Sequence, residues 1–273
     1  MNFTPLCNPK ESGGGTGYLK GNMNLLQTIR KRAREYKPDL CITAESFWEG
    51  NIGSLDAFLA VNTTAQYLEN TRVTAIPMAH AVYHDYTIFK CAWSGKGDVE
   101  NDNALGFIAK YAQLFCWGGK SGFSLMNQFY KFPNREIVME STKHRFQAYA
   151  KGKKFLVYGE MQRQPETTKA LPLLPVKWDR YFGPSYWNIQ LPQIFSSMWK
   201  AQDESCGLVA YNIGEKGLTT EFVLPHADYG KLKTFKVLYP EQLEYSTKIE
   251  KNKTFITVNC PVRVPVIIEM KEK

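Results

Sequence analysis

The chain has 273 residues, a formal net charge of +8 and 44% apolar content, enough to bury the core of one large domain or two modest ones. No apolar run approaches the ~20 residues of a membrane span, and the opening MNFTPLCNPK lacks the basic and apolar segments of a signal peptide, so the sequence as given reads as cytoplasmic, with no membrane span. Its cations are interleaved with acids, as in KGDVEND, and no nucleic-acid motif accompanies them; they read as solvated faces, and no nucleic-acid partner is expected.

The first segment, NPKESGGGTGYLKGN, is a turn-rich loop whose glycines lack the Lys-Ser/Thr of a phosphate-binding loop. A helix is expected from Asn22 to Tyr36. Leu25, Leu26, Ile29, Ala33 and Tyr36 recur there at helical spacing, with Arg30, Lys31, Arg32 and Arg34 on the other faces. Three apolar runs follow, Leu40 to Thr43, Leu55 to Val61 and Arg72 to Tyr83, without the alternation of a half-exposed strand. They read as strands of a parallel sheet buried on both faces. Helical patterns return at Asn103 to Phe115 and near Arg135 to Lys151. Beyond Phe155 the prolines of ALPLLPVKWDRYFGP exclude long helices. Six short β-type runs then alternate with turns (IFSSMWKA, CGLVAYNIG, LTTEFVLP, KTFKVLYP, TFITVNC and VPVIIEMK), the pattern of a small antiparallel sandwich.

The six cysteines show no CxxC or Cys/His spacing, so neither a metal nor another cofactor is expected, and those in apolar runs read as small hydrophobes. The foremost candidate for chemistry is Glu45, one residue beyond the strand-like LCIT. Groups at the C-terminal ends of parallel strands face the pocket of an α/β barrel, and an apolar wall from Phe47 and Trp48 suits a general acid. The plain alternative is a loop acid with packing neighbours. A second cluster, Tyr83, His84 and Asp85 in AHAVYHDYT, carries groups that hydrogen-bond or stack on sugars, or else a structural His–Asp pair. Asp56 falls at the start of its strand, where a structural cap is the better reading. A Ser-His-Asp mechanism finds no GxSxG elbow.

Taken together, CNPK…GGG…Y…G…LL..IR, then TAES…GNIGSLDAF, AIPMAHAVYHDY, FLVYGEM and finally SSMWKAQDESCGLVAYNIGEK resemble a bacterial family of glycoside-hydrolase-like proteins of unassigned function. Its members resemble glycosidases with a (β/α)8 barrel followed by an all-β domain. The resemblance runs from Cys7 to the end. It implies that Glu45 is the catalytic carboxylate, as proton donor or nucleophile, and that Phe47, Trp48, Tyr83, His84 and Asp85 contact a carbohydrate substrate. A (β/α)8 barrel needs eight strands and about 250 residues, whereas three strands are legible here. The expected fold class is therefore α/β plus all-β. Residues 1–155 form the C-terminal portion of a TIM barrel, 156–192 a Pro-rich connection and 193–273 an antiparallel β-sandwich. Two carboxylates roughly 5 to 9.5 Å apart are the usual glycosidase requirement. The resemblance thus implies that the second lies on an absent N-terminal half, which is one expected partner, self-association being the other. Relatives of this kind are often periplasmic or secreted. A non-catalytic carbohydrate-binding protein and a structural interaction module are the alternative functions.

Overall fold

The computed structural model describes residues 17–45, 47–60, 76–92, 94–122, 131, 133–179 and 186–272. Cys7, the Gly13–Gly15 turn, Ser46, Val61, residues 72–75 of the expected third strand and Trp93 lie outside them. The fold is mixed α/β: a small parallel sheet with helices, then antiparallel sheets.

Helix α1, Gly17–Tyr36, stops just before Pro38, which cannot continue it. Its docking is largely electrostatic. Arg30 and Arg34 reach Asp56 Oδ1 at 2.8 and 3.0 Å, and Asp56 Oδ2 accepts the Ile42 N–H at 2.8 Å. One carboxylate thus ties α1 to the approach to β1 (Thr43–Ala44) and to the start of β2 (Ala57–Leu59). The expected apolar stripe buries only in part. Leu25, Ile29 and Tyr36 are exposed, and the face toward the protein carries Met23, Leu26, Arg30 and Ala33. Asp56→Ala should destabilise this unit by about 2 kcal/mol, because it orphans a backbone N–H and two guanidinium groups at once. Urea denaturation followed by tryptophan fluorescence checks this.

β1, β2 and β3 (Ile88–Lys90) pair in parallel in that spatial order. The expected third strand is corrected here: Met78–Tyr83 is a helix, α2. Pro77 supplies a helix start, and the run splits at helical spacing, with His80 buried and Met78, Ala81 and Val82 exposed. After β3 come α3 (Lys96–Glu100), a tight turn at Asp102–Ala104 and α4 (Leu105–Cys116). The chain then returns beside β3. The Lys120 N–H donates to Phe89 at 2.8 Å and the Cys91 N–H to Lys120 at 2.9 Å, a parallel bridge between Lys90 and Lys120. Among the described residues these strands do not close into a barrel.

Helices α5 (Arg135–Lys151) and α6 (Lys153–Leu156) lead into two antiparallel sheets. One has the order β11-β14-β9-β8-β4, from Thr234–Tyr239, Pro265–Lys271, Cys206–Asn212, Ile194–Lys200 and Glu160–Gln162. The other runs β12-β13-β10-β5, from Tyr245–Glu250, Lys253–Cys260, Leu218–Pro225 and Glu166–Thr167. Residues 156–192 are more than a connection, since they supply β4, β5 and a separate hairpin of β6 (Leu173–Asp179) with β7 (Tyr186–Pro192).

Alternation along β8 and β9 organises the core. Ile194, Met198, Leu208 and Ala210 join Phe222, Ile256 and Val258 in an apolar layer between the two sheets. Phe195, Trp199, Val209 and Tyr211 face the other way and join Phe107, Tyr111 and Phe115 of α4. With helices on one face and a sheet on the other, β8 and β9 are buried almost throughout. Helix α4 is buried on every side from Gly106 to Cys116. Its last carbonyl, Cys116, accepts from Ser197 Oγ at 2.5 Å and Trp199 Nε1 at 3.3 Å, satisfying a helix end that water cannot reach.

Candidate functional site

The C-terminal ends of the parallel strands bring together the most chemically suggestive groups. Glu45 leaves β1 directly and is exposed. In a parallel sheet, register partners point to the same side, so Thr43, Ala57 and Ile88 share one face, as do Leu59 and Lys90. Ala44, Phe58 and Phe89 take the other face, where Phe89 meets the His80 ring of α2 at 4.2 Å. The first face is partly open among the described residues: Thr43 and Lys120 are exposed and Ile88 is 44% exposed, whereas Leu59 and Lys90 are half-buried and Ala57 is buried. Lys90 lies across β2 on this face, its Nζ donating to Thr43 Oγ1 at 3.1 Å.

At the same end, Cys91 has a φ of 51°, a left-handed conformation that costs a non-glycine residue of order 1–2 kcal/mol. It is held there by the Lys120 carbonyl on its N–H and by the Ala60 N–H on its own carbonyl. A Cβ on Gly122 would collide with Cys91 Sγ, so any larger residue there would have to displace the thiol. Burial raises the Cys91 thiol pKa, opposed by the charges of Lys90 and Lys120.

The other expected site residues are dispersed. Phe47 is half-buried on the helix-covered face, its ring 5.2 to 5.4 Å from those of Phe89, Phe58 and Tyr83. Trp48 folds back over Gly50. Tyr83, His84 and Asp85 precede β3, so in this parallel sheet they lie toward the end opposite Glu45. Tyr83 donates to Glu49 Oε2 at 2.6 Å, and that carboxylate hydrogen bond raises the phenol pKa. His84 Nε2 donates to the Leu156 carbonyl at 3.0 Å and its ring packs 4.8 Å from Trp199, leaving a buried Nδ1 without a hydrogen-bond partner among the described residues. Asp85 is exposed in a shallow depression with Tyr158, Glu160, Lys200 and Gln202.

The two helices after β3, α3 and α4, hold groups that the sequence pattern concealed. Asp98 and Lys110 are both fully buried, Nζ to Oδ2 2.6 Å. Asp98 also accepts the Gly95 N–H at 2.9 Å and the Asp179 N–H at 3.0 Å, while Lys110 donates to the Asp179 carbonyl at 2.9 Å. Burial pushes the Asp98 carboxyl up and the Lys110 ammonium down, and their mutual contact opposes both shifts. With its oxygens committed in this way and no exposure, Asp98 is a structural group. Read from composition, KGDVEND was a solvated run; Asp98 corrects that for its centre. The signal available was α4 itself, a largely apolar helix with one charged residue, a lysine, in its middle.

Among the described residues no three His, Cys, Asp or Glu side chains are placed to hold a metal ion, and no helix is long and apolar enough to cross a membrane. The described cysteines are free thiols; Cys116, Cys206 and Cys260 are buried. A profile for a domain of unknown function, DUF6259, matches residues 8–92. That stretch contains β1 to β3, Glu45 and the five other expected site residues, and its description assigns no glycosidase activity. No curated protein matches the chain.

Proposed function

We propose that this chain is the C-terminal part of a glycoside hydrolase, with Glu45 as one carboxylate of its active site. The observation that carries the reading is the open face of the parallel sheet, with Glu45 at the C-terminal end of its first strand. Parallel sheets are ordinarily covered on both faces. A half-covered one, with strands in sequential order and β1 unpaired on its outer side among the described residues, fits a barrel segment whose other strands would close over Thr43, Ile88 and Lys120. The antiparallel unit that follows fits the all-β domain that succeeds such barrels.

In this reading Glu45 protonates the leaving oxygen or attacks the anomeric carbon, and a second acid comes from outside the described strands. The chain alone should therefore turn over aryl glycosides no faster than buffer. Turnover by the chain that disappears in Glu45→Gln would show that the site is complete and sink the claim of incompleteness.

A further inference from the structure

We infer that the site binds a glycan bearing an anionic substituent, a carboxylate or a sulfate, which Lys90 and Lys120 would hold on the open face of the parallel sheet. The inference rests on the glycosidase reading and names its substrate class.

Lys90 and Lys120 are partners in an isolated parallel bridge, so their side chains leave the same face side by side. Like charges at adjacent register positions repel, and among the described residues neither ammonium has a carboxylate partner. Lys90 is held by Thr43, two residues before Glu45, so its cation lies toward the strand that carries the proposed catalytic group. Ile88 and Leu59 supply apolar surface on the same face, suited to the C–H side of a sugar ring. The backbone between the two lysines is not free to relax. Cys91 is fixed in its left-handed conformation by hydrogen bonds to both neighbouring segments, and Gly122 makes room for its sulfur. Strain of this kind, held in place by its surroundings, concentrates at binding sites. A repelling cation pair on a rigid, partly exposed face, one cation held two residues before Glu45, is an arrangement an anionic sugar would complete.

Isothermal titration calorimetry on the complete gene product carrying this chain tests the inference with three trisaccharides, one of uronic acids, one sulfated and one neutral. At least one charged trisaccharide should bind at least tenfold more tightly than the neutral one. Lys90→Gln with Lys120→Gln should abolish that preference, whereas Lys90→Arg with Lys120→Arg should keep it, with melting temperatures unchanged in both. Which charged ligand wins separates carboxylate from sulfate. Equal binding of charged and neutral ligands, or a preference indifferent to the glutamine pair, overturns the inference and leaves the glycosidase reading intact. Binding of none of the three overturns both.

Discussion

Lys110→Met should cost about 3–5 kcal/mol of stability, because it strands the Asp98 carboxylate in an interior that water does not reach. In a chain of this size that corresponds to a fall in Tm of roughly 10 °C. Adding Asp98→Asn should recover at least half of the loss, since the second change removes the stranded charge and leaves an amide oxygen that still accepts from one of the two backbone N–H groups, Gly95 or Asp179. The pair sits where α3, α4 and the β6–β7 hairpin meet, with Lys110 Nζ also 5.1 Å from the centre of the Trp178 ring. Urea midpoints of the two single variants and the double variant measure the coupling. Strictly additive losses would mean that the two charges act independently and that the pair is not the clamp described.

The second large effect is a loss of stability in acid. His80 is wholly buried, and its Nδ1 donates to the Trp117 carbonyl at 3.1 Å. Burial, reinforced by the neighbouring His84, lowers its pKa from 6.5 to about 3. The folded chain therefore binds fewer protons at this site than the unfolded chain between those two values. The resulting stability is fully present above pH 6.5 and is lost as pH falls toward 3, by about 1.4 kcal/mol per pH unit. His84, also lowered by burial, acts in the same sense. Between pH 7 and pH 4 the wild type should lose about 3 kcal/mol more than His80→Leu, so the two stability curves converge in acid although the variant is weaker at neutrality. Parallel curves would show that His80 is not held neutral by its burial.

What the sequence revealed depended on whether the relevant interaction leaves a periodic trace. Strands β8, β9, β10 and β14 were legible because burial imposes apolar runs on them. β12, YSTKIE, was not, since it lies at the edge of its sheet with every residue exposed and so has no apolar face to reveal it. The segment around His80 misled because a short, mostly apolar run without alternation reads as a buried strand, whereas Pro77 and the His80–His84 spacing belong to a helix. The end of α1 was located correctly, but it begins at Gly17, inside the stretch that reads as a loop, and Leu25, Ile29 and Tyr36 of its apolar stripe face outward because Arg30 and Arg34 are drawn to Asp56, a partner 22 to 26 residues away along the chain. Glu45 at a strand end was readable from LCIT followed by an acid. That Phe47 packs beneath α2 was not, because an aromatic beside a glutamate looks the same in sequence whether it lines a cleft or fills a core.

The most direct test of the central claim is kcat/KM for a panel of aryl glycosides, measured on the complete gene product with Glu45 and with Glu45→Gln. The account predicts hydrolysis of at least one glycoside, falling about a thousandfold in the variant, within the range expected for loss of a catalytic acid or base, with the melting temperature unchanged. Hydrolysis that persists undiminished in Glu45→Gln would remove Glu45 from the chemistry. No hydrolysis of any glycoside, with oligosaccharide binding retained in both proteins, would contradict the enzyme reading and leave a carbohydrate-binding protein in its place.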